Sequence, residues 1–306
     1  MSKDTKISDC IGDTPLLHIS GNIYAKAEFM NPTGSIKDRM ASFIINDAEE
    51  KGLLKKGDTI IEATSGNAGI SFAWLAAERG YNIKIVMPNN MSDERKQILR
   101  FYGADLIEVD AGDFDQAIDL RDKLAKENGW FNTNQFGNPL NIQAHELGTA
   151  QEIREQAVNG YKAIGGSNTI AALIAGTGTG GTLMGCRKTL THPLWFPNMK
   201  TIAVEPAESP VMSGGKAGLH GIQGIGDGSK FLVDMDLVDE VIQIKTSDAK
   251  KRACALAKEK GLFVGISSGA NILAAERWAE DNPDVEGNII TFLCDRGGRY
   301  FSCLES

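Results

Sequence analysis

From about residue 40 onward, short runs rich in valine and isoleucine alternate with longer stretches in which apolar residues recur every three or four positions. A strand buried on both faces reads as a brief apolar run, and a helix lying on a sheet as a stripe of period 3.6. Residues 39–50 place Met40, Phe43, Ile44 and Ala48 on one helical face, and Gly52 follows as a stop. Strands are predicted at 59–61, 83–87, 105–109, 169–174, 201–204, 241–244 and 288–292. Helices are predicted at 92–102, 114–126, 144–156, 247–259 and 270–280, with Ser247 as an N-cap and Asp248 as a first-turn acid in the last but one. Regular alternation of this kind predicts an α/β fold with mostly parallel, twisted sheets covered by helices.

Composition narrows the class. The chain has 306 residues, about twice a common domain length, so two domains are expected, closely packed and exchanging strands because no linker separates them. With 42% hydrophobic and 24% charged residues, it is neither disordered nor membrane-spanning, and its longest apolar stretches, such as 170–175, are too short for a bilayer. A net charge of -8 argues against nucleic acid, whose phosphates select clustered Lys and Arg. Five scattered cysteines without a Cys-x-x-Cys pair indicate neither a disulfide framework nor a metal site, and fit a reducing cytoplasm. The N-terminus has no apolar segment that would serve as a signal peptide. Glycine is in excess, with 34 residues, which predicts several tight turns or close backbone approaches.

Four turn-rich segments carry candidate chemistry. Asn31-Pro32-Thr33-Gly34-Ser35-Ile36-Lys37-Asp38-Arg39 leads into a helix; a lysine there is ordinarily a solvated cation, or else a placed amine. Glu62-Ala63-Thr64-Ser65-Gly66-Asn67-Ala68-Gly69 joins a strand to a helix, as a plain capped turn or as a cradle for a carboxylate. Gly176-Thr177-Gly178-Thr179-Gly180-Gly181-Thr182 follows a predicted strand and precedes a helix, the setting of a phosphate or anion loop. No Gly-Lys-Ser/Thr follows, so it is not a P-loop. Gly176, Gly178 and Gly181 do keep the G-x-G-x-x-G spacing, and Glu205 stands where a dinucleotide site places its ribose acid, so a nicotinamide site is a competitor at this point. Gly265-Ile266-Ser267-Ser268-Gly269 is a further strand-to-helix turn, with a serine cap as its plain reading.

Taken together and in order, these segments resemble the cysteine synthase (O-acetylserine sulfhydrylase) and cystathionine β-synthase family of fold-type II pyridoxal-phosphate enzymes. The resemblance runs from Ile11-Gly12-Asp13-Thr14-Pro15-Leu16 to Asp295-Arg296-Gly297-Gly298-Arg299-Tyr300, and includes Glu205-Pro206-Ala207-Glu208-Ser209-Pro210 and Gly221-Ile222-Gln223-Gly224-Ile225-Gly226. It moves Glu205 out of a ribose role. It implies a larger cofactor-binding domain at 1–35 and 141–306 and a smaller, mobile, substrate-binding domain at 36–140. By resemblance, Lys37 forms the Schiff base with pyridoxal phosphate and later removes the substrate α-proton. Asn67 meets the cofactor's ring oxygen, Gly178, Thr179, Gly180, Gly181 and Thr182 hold its phosphate, and Ser267, next to Ser268, faces its pyridine nitrogen. Thr64, Ser65 and Gln135 bind the substrate carboxylate, with Ala68, Gly224 and Asp227 beside the substrate; no metal is implied.

The implied reaction is β-replacement, in which O-acetylserine or a related activated serine loses its β-substituent, and sulfide or a thiol adds to the aminoacrylate to give cysteine. A neutral hydroxyl at the pyridine nitrogen suits this, since it makes the ring a weaker electron sink than a carboxylate would. Two positions depart from the family pattern. Ala68 replaces a threonine and deletes one hydroxyl from the cradle. Asp227 replaces a small apolar residue; in the cleft it would repel anionic sulfide and activate water, whereas in a surface glycine turn it would do neither. β-Elimination, a cystathionine β-synthase-type reaction on cysteine or serine, and a catalytically weak partner of serine acetyltransferase are the alternatives. A homodimer is implied by resemblance.

Overall fold

The computed structural model describes residues 5–64, 66–110, 114–158 and 168–304. Among the described residues, ten strands form two sheets. The larger takes β1 (Leu16–Ser20), β2 (Ile23–Lys26), β7 (Ile170–Gly176), β8 (Lys200–Pro206), β9 (Glu240–Ile244) and β10 (Asn288–Phe292), in the order β1-β2-β10-β7-β8-β9. Only the β1–β2 hairpin is antiparallel. The smaller takes β3 (Thr59–Ala63), β4 (Asn82–Pro88), β5 (Asp105–Val109) and β6 (Phe131–Asn132) in the order β5-β4-β3-β6, all parallel. Residues on both sides of the smaller sheet thus build the larger one, and the class is α/β as the apolar pattern predicts.

Strand alternation sends neighbouring side chains to opposite faces, and each face has its own core. In β3, Ile60 packs with α1 (Lys37–Glu50) and α2 (Asn67–Arg79), while Ile61 and Ala63 pack on the other side with Ala117 and Ala125 of α4 (Phe114–Asn128). In the larger sheet, Ala172 and Ile174 face α8 (Thr246–Lys260) and α9 (Ile266–Asp281), while Leu173 and Ala175 face α6 (Ala150–Val158) and α7 (Gly181–Leu190). Among the described residues no helix is long and apolar enough to cross a membrane.

Three local expectations are corrected. The helix expected over 144–156 is three pieces: α5 (Leu140–Ala144), a π-helical turn at His145–Thr149, and α6. Here α7 crosses closely enough that a Cβ on Gly185 would lie 2.3 Å from the Ile142 carbonyl. Ser247 is not an N-cap. Helix α8 starts one residue earlier, at Thr246, whose backbone N–H donates to Glu208 Oε1 at 2.9 Å, so a carboxylate from another segment takes the orphan donor. Strands β1 and β2 were not expected, because β2 ends in Lys26, a fully buried cation whose charge breaks the apolar pattern. The remaining helices are α3 (Asp93–Phe101) and α10 (Phe301–Leu304).

Candidate active site

The four turn-rich segments meet at one cavity between the sheets, lined by Lys37, Thr64, Asn67, Gln135, Gly178, Thr179, Gly180, Thr182 and Ser267, with Gly224 and Asp227 on the same wall; Gly181 of the same loop is not in the lining. Ser65 lies outside the described residues.

Lys37 is the first residue of α1. The loop before it is stitched to the end of β10, since Ile36 N–H donates to the Cys294 carbonyl at 2.9 Å and Ser35 bridges Asp295. Gly34 permits this, with φ +88 and no room for a Cβ against Arg296. Asp38 accepts from Thr33 and from Ser71 Oγ, both at 2.5 Å, which fastens the start of α1 to α2. Burial pulls the Lys37 amine below its ordinary 10.5, against the attraction of Asp227 and the nearby Cys294. Burial that favours the uncharged form makes Lys37 a better nucleophile and base than a surface lysine.

At the end of β3, buried Glu62 pairs with Arg121 at 3.0 Å and accepts from Ala63 N–H at 2.7 Å, Gln135 N–H at 3.0 Å and Thr133 Oγ1 at 2.5 Å. One carboxylate therefore holds both arms of the carboxylate cradle. Thr64 Oγ1 accepts from Gly66 N–H at 3.0 Å, and Gln135 Nε2 donates one hydrogen to the Ala63 carbonyl at 3.0 Å. Ala68 is buried in the apolar cluster of α1 and α2 and reaches the cavity wall.

The glycine loop lies at the start of α7, whose first N–H groups have no intrahelical acceptor. Neighbours press on its glycines: a Cβ would lie 2.6 Å from the Gly224 carbonyl at Gly178 and 2.0 Å from Asn141 Oδ1 at Gly181. Asn141 Nδ2 in turn donates to the Gln135 carbonyl and to Thr179 Oγ1, each at 2.9 Å, so one side chain links the loop to the cradle. Thr182 Oγ1 lies 3.2 Å from Nε2 of His145, whose pKa is driven well below its ordinary 6.5 by burial and then by Arg39 and Lys37. The ring behind the loop is therefore neutral.

Ser267, in the first turn of α9, lines the cavity, whereas the Ser268 hydroxyl is turned away and accepts from Cys294 N–H at 2.9 Å. Glu205 is not in the cavity: it accepts from Met212 N–H at 2.7 Å and from Ser213 N–H and Oγ at 3.2 and 2.5 Å, leaving no ribose acid for a nicotinamide site. Asp227 is in the wall, not on the open surface, and burial raises its carboxyl pKa against the pull of Lys37 and His220.

A helix start suited to an anion, with glycines that admit no side chain, a buried amine of lowered pKa and an uncharged hydroxyl together fit pyridoxal phosphate. The family model described as "Pyridoxal-phosphate dependent enzyme" matches residues 7–295. The chain belongs to this family. A cysteine synthase from Staphylococcus aureus is 39% identical over 97% of this chain and 95% of its own length. Among solved structures, a cysteine synthase from Entamoeba histolytica is 39% identical with TM-score 0.87, covering 97% of this chain and 89% of that one. A hydrogen sulfide-producing enzyme from Fusobacterium nucleatum is 39% identical with TM-score 0.89, covering 98% of this chain and all of that one (100%). Membership removes the nicotinamide alternative. Several residues that shape the site were not singled out from sequence: Asn141, His145, Cys294 as a wall residue, and the pair Asp295 and Arg299. The partners that bring Asp295 and Arg299 to the site, Asn67 and Thr33, lie far along the chain.

Proposed function

We propose that the protein is a cysteine synthase that replaces the β-substituent of O-acetylserine, or a closely related activated serine, with sulfide. The observation that carries this reading is the convergence on one cavity of Lys37, Asn67, Gly178, Thr179, Gly180, Thr182 and Ser267, in a member of a pyridoxal-phosphate family. Lys37 would hold the cofactor and, with its amine pKa lowered by burial, take the α-proton. Gly178, Thr179, Gly180, Gly181 and Thr182 would hold the phosphate at the start of α7. Ser267 would face the pyridine nitrogen; its neighbour Ser268, which does not line the cavity and accepts from Cys294 N–H, would not. Thr64, Ser65 and Gln135 would hold the amino-acid carboxylate next to Ala68 and Gly224; Gln135 keeps a second Nε2 hydrogen for it. Pyridoxal phosphate, when bound, supplies an acceptor for the electron pair of the α-C–H bond and so allows the β-substituent to leave.

One observation favours a second reading, in which water or a neutral thiol competes with sulfide: Asp227 borders the cavity and also a neighbouring one lined by His220 and Met91. A carboxylate there disfavours an anion and can take a proton from a neutral nucleophile. We further propose residues 1–35 with 141–306 as the cofactor-binding domain and 36–140 as the smaller mobile domain. A cytoplasmic homodimer completes the reading, with serine acetyltransferase as a candidate partner; five scattered cysteines without a Cys-x-x-Cys pair suit a reducing compartment. The deciding experiment measures cysteine or thioether formation from O-acetylserine, O-phosphoserine and serine, each with sulfide and with homocysteine, in the parent and in Lys37→Ala. Cysteine from O-acetylserine and sulfide, lost in Lys37→Ala, is expected. An inactive parent that carries the cofactor would overturn it in favour of a regulatory partner.

A further inference from the structure

We propose that Asp295 and Arg299 are positioning residues that lock the side-chain amide of Asn67 in one orientation, so that it meets its ligand as a hydrogen-bond donor. The inference rests on the reading that Asn67 contacts the cofactor's ring oxygen. Asn67 opens α2 and borders the cavity. Its Nδ2 donates to Asp295 Oδ2 at 2.6 Å, and its Oδ1 accepts from Arg299 Nη1. An ionised carboxylate only accepts and a guanidinium only donates, so the partners themselves decide which end of the amide is which. A flipped amide would set its oxygen against the carboxylate and its NH2 against the guanidinium, losing two charge-assisted hydrogen bonds and gaining two repulsions.

The lock is itself held. Asp295 is fully buried, and Tyr300 donates its hydroxyl to the same Oδ2 at 2.5 Å. Burial and the Asp295 charge push the tyrosine pKa above its ordinary value, which keeps the hydroxyl protonated and donating. Arg299, also buried, places its other nitrogen on the Thr33 carbonyl, in the loop that leads to Lys37. Of the four hydrogen-bonding positions on the amide, two are committed among the described residues, and the Nδ2 group retains one hydrogen for the cavity. The ligand class this suits is an acceptor oxygen, best an ionised one, which such a donor would stabilise.

The test uses the full-length protein stripped of cofactor and titrated with pyridoxal phosphate, reading both Kd and the pH dependence of the visible band of the reloaded protein. Variants are Asn67→Ala, Asp295→Asn, Arg299→Met and the doubles with Asn67→Ala. Asp295→Asn keeps the shape but accepts or donates, so the lock is released. Expected are a roughly tenfold weaker Kd and a shifted band titration in each single variant, and doubles no weaker than Asn67→Ala alone, since the two act through Asn67. If Asn67→Ala weakens binding while Asp295→Asn and Arg299→Met leave Kd and band unchanged, or if their effects add in full to that of Asn67→Ala, the lock is refuted and the cofactor contact stands. If Asn67→Ala changes neither readout, the contact itself is refuted and the lock with it. Should Asp295→Asn not fold, judged by circular dichroism without cofactor, Arg299→Met reads the other side of the amide.

Discussion

Arg39 and Glu152 form a two-pronged ion pair, with Nη1 to Oε1 at 2.6 Å and Nη2 to Oε2 at 2.8 Å, two residues after Lys37. Arg39 also reaches Glu28 Oε2 at 2.6 Å, and Lys26 reaches Glu152 Oε2 at 2.6 Å, so the start of α1 is bolted to β2 and α6. Burial alone would raise the Glu152 carboxyl, but Arg39 and Lys26 outweigh it and hold the pKa at about 2, against an ordinary 4.5. A depressed carboxyl stabilises the fold above its unfolded pKa and loses that contribution as pH falls through the folded one. Glu152→Gln should therefore be less stable than the parent at pH 7, by about 3 kcal/mol, with the gap closing between about pH 4.5 and 2. Urea midpoints across that range check this; a gap independent of pH would contradict it.

Gly181→Ala should loosen cofactor binding more than it destabilises the fold. The added methyl would sit 2.0 Å from Asn141 Oδ1, and Asn141 can move only by releasing the Gln135 carbonyl and Thr179 Oγ1. A tenfold weaker Kd for pyridoxal phosphate, or more, is expected, equivalent to about 1.4 kcal/mol. An absorbance titration of the cofactor-free protein measures it, and an unchanged Kd would show that the loop takes a methyl group without cost.

The chemistry-bearing turns were legible because each is a contiguous run of glycines and small polar residues at the start of a helix. The family resemblance those runs carry named Lys37, Asn67, Gly181 and Ser267, but not what holds them. Asn67 is held by residues 228 and 232 positions away in the chain, and Glu62 by Arg121, 59 positions away. Charge also hid structure: Lys26 is in a strand only because Glu152 and the Thr14 carbonyl neutralise its burial, and periodicity cannot register a partner. Asp227 had two open readings in a glycine turn, and the approach of the 224–227 segment to Gly178 placed it in the wall.

Asp227 should set the balance between sulfide and water or neutral thiols. Burial raises its carboxyl pKa, so the base form appears at higher pH than for an ordinary aspartate. Reaction with water, seen as serine or pyruvate release, should rise with pH along a limb that Asp227→Asn abolishes, with a loss of about 10²-fold on the upper plateau. Sulfide addition should be unchanged or faster in the variant, because a negative charge has left the cavity. Product partition with and without sulfide over pH 5 to 9, in roughly half-unit steps, decides the matter. Equal rates of both reactions in parent and variant would leave Asp227 without a part in the outcome.

Glu62 holds the carboxylate cradle from behind without lining the cavity, so its loss should fall on substrate binding. It anchors Ala63 N–H, Gln135 N–H and Thr133 Oγ1 at once, and balances Arg121 in a fully buried pair. Glu62→Gln keeps one oxygen for these donors but removes the charge, so either Gln135 or Arg121 is left with a weaker partner. The expected result is a KM for the amino-acid substrate raised about 10- to 100-fold with kcat within about threefold, since binding of the carboxylate is shared by ground and transition states. Steady-state kinetics on the cofactor-loaded variant measure the split, with its melting temperature as a check on the fold. A fall in kcat at unchanged KM would place the role of Glu62 in the α-proton transfer at Lys37 instead.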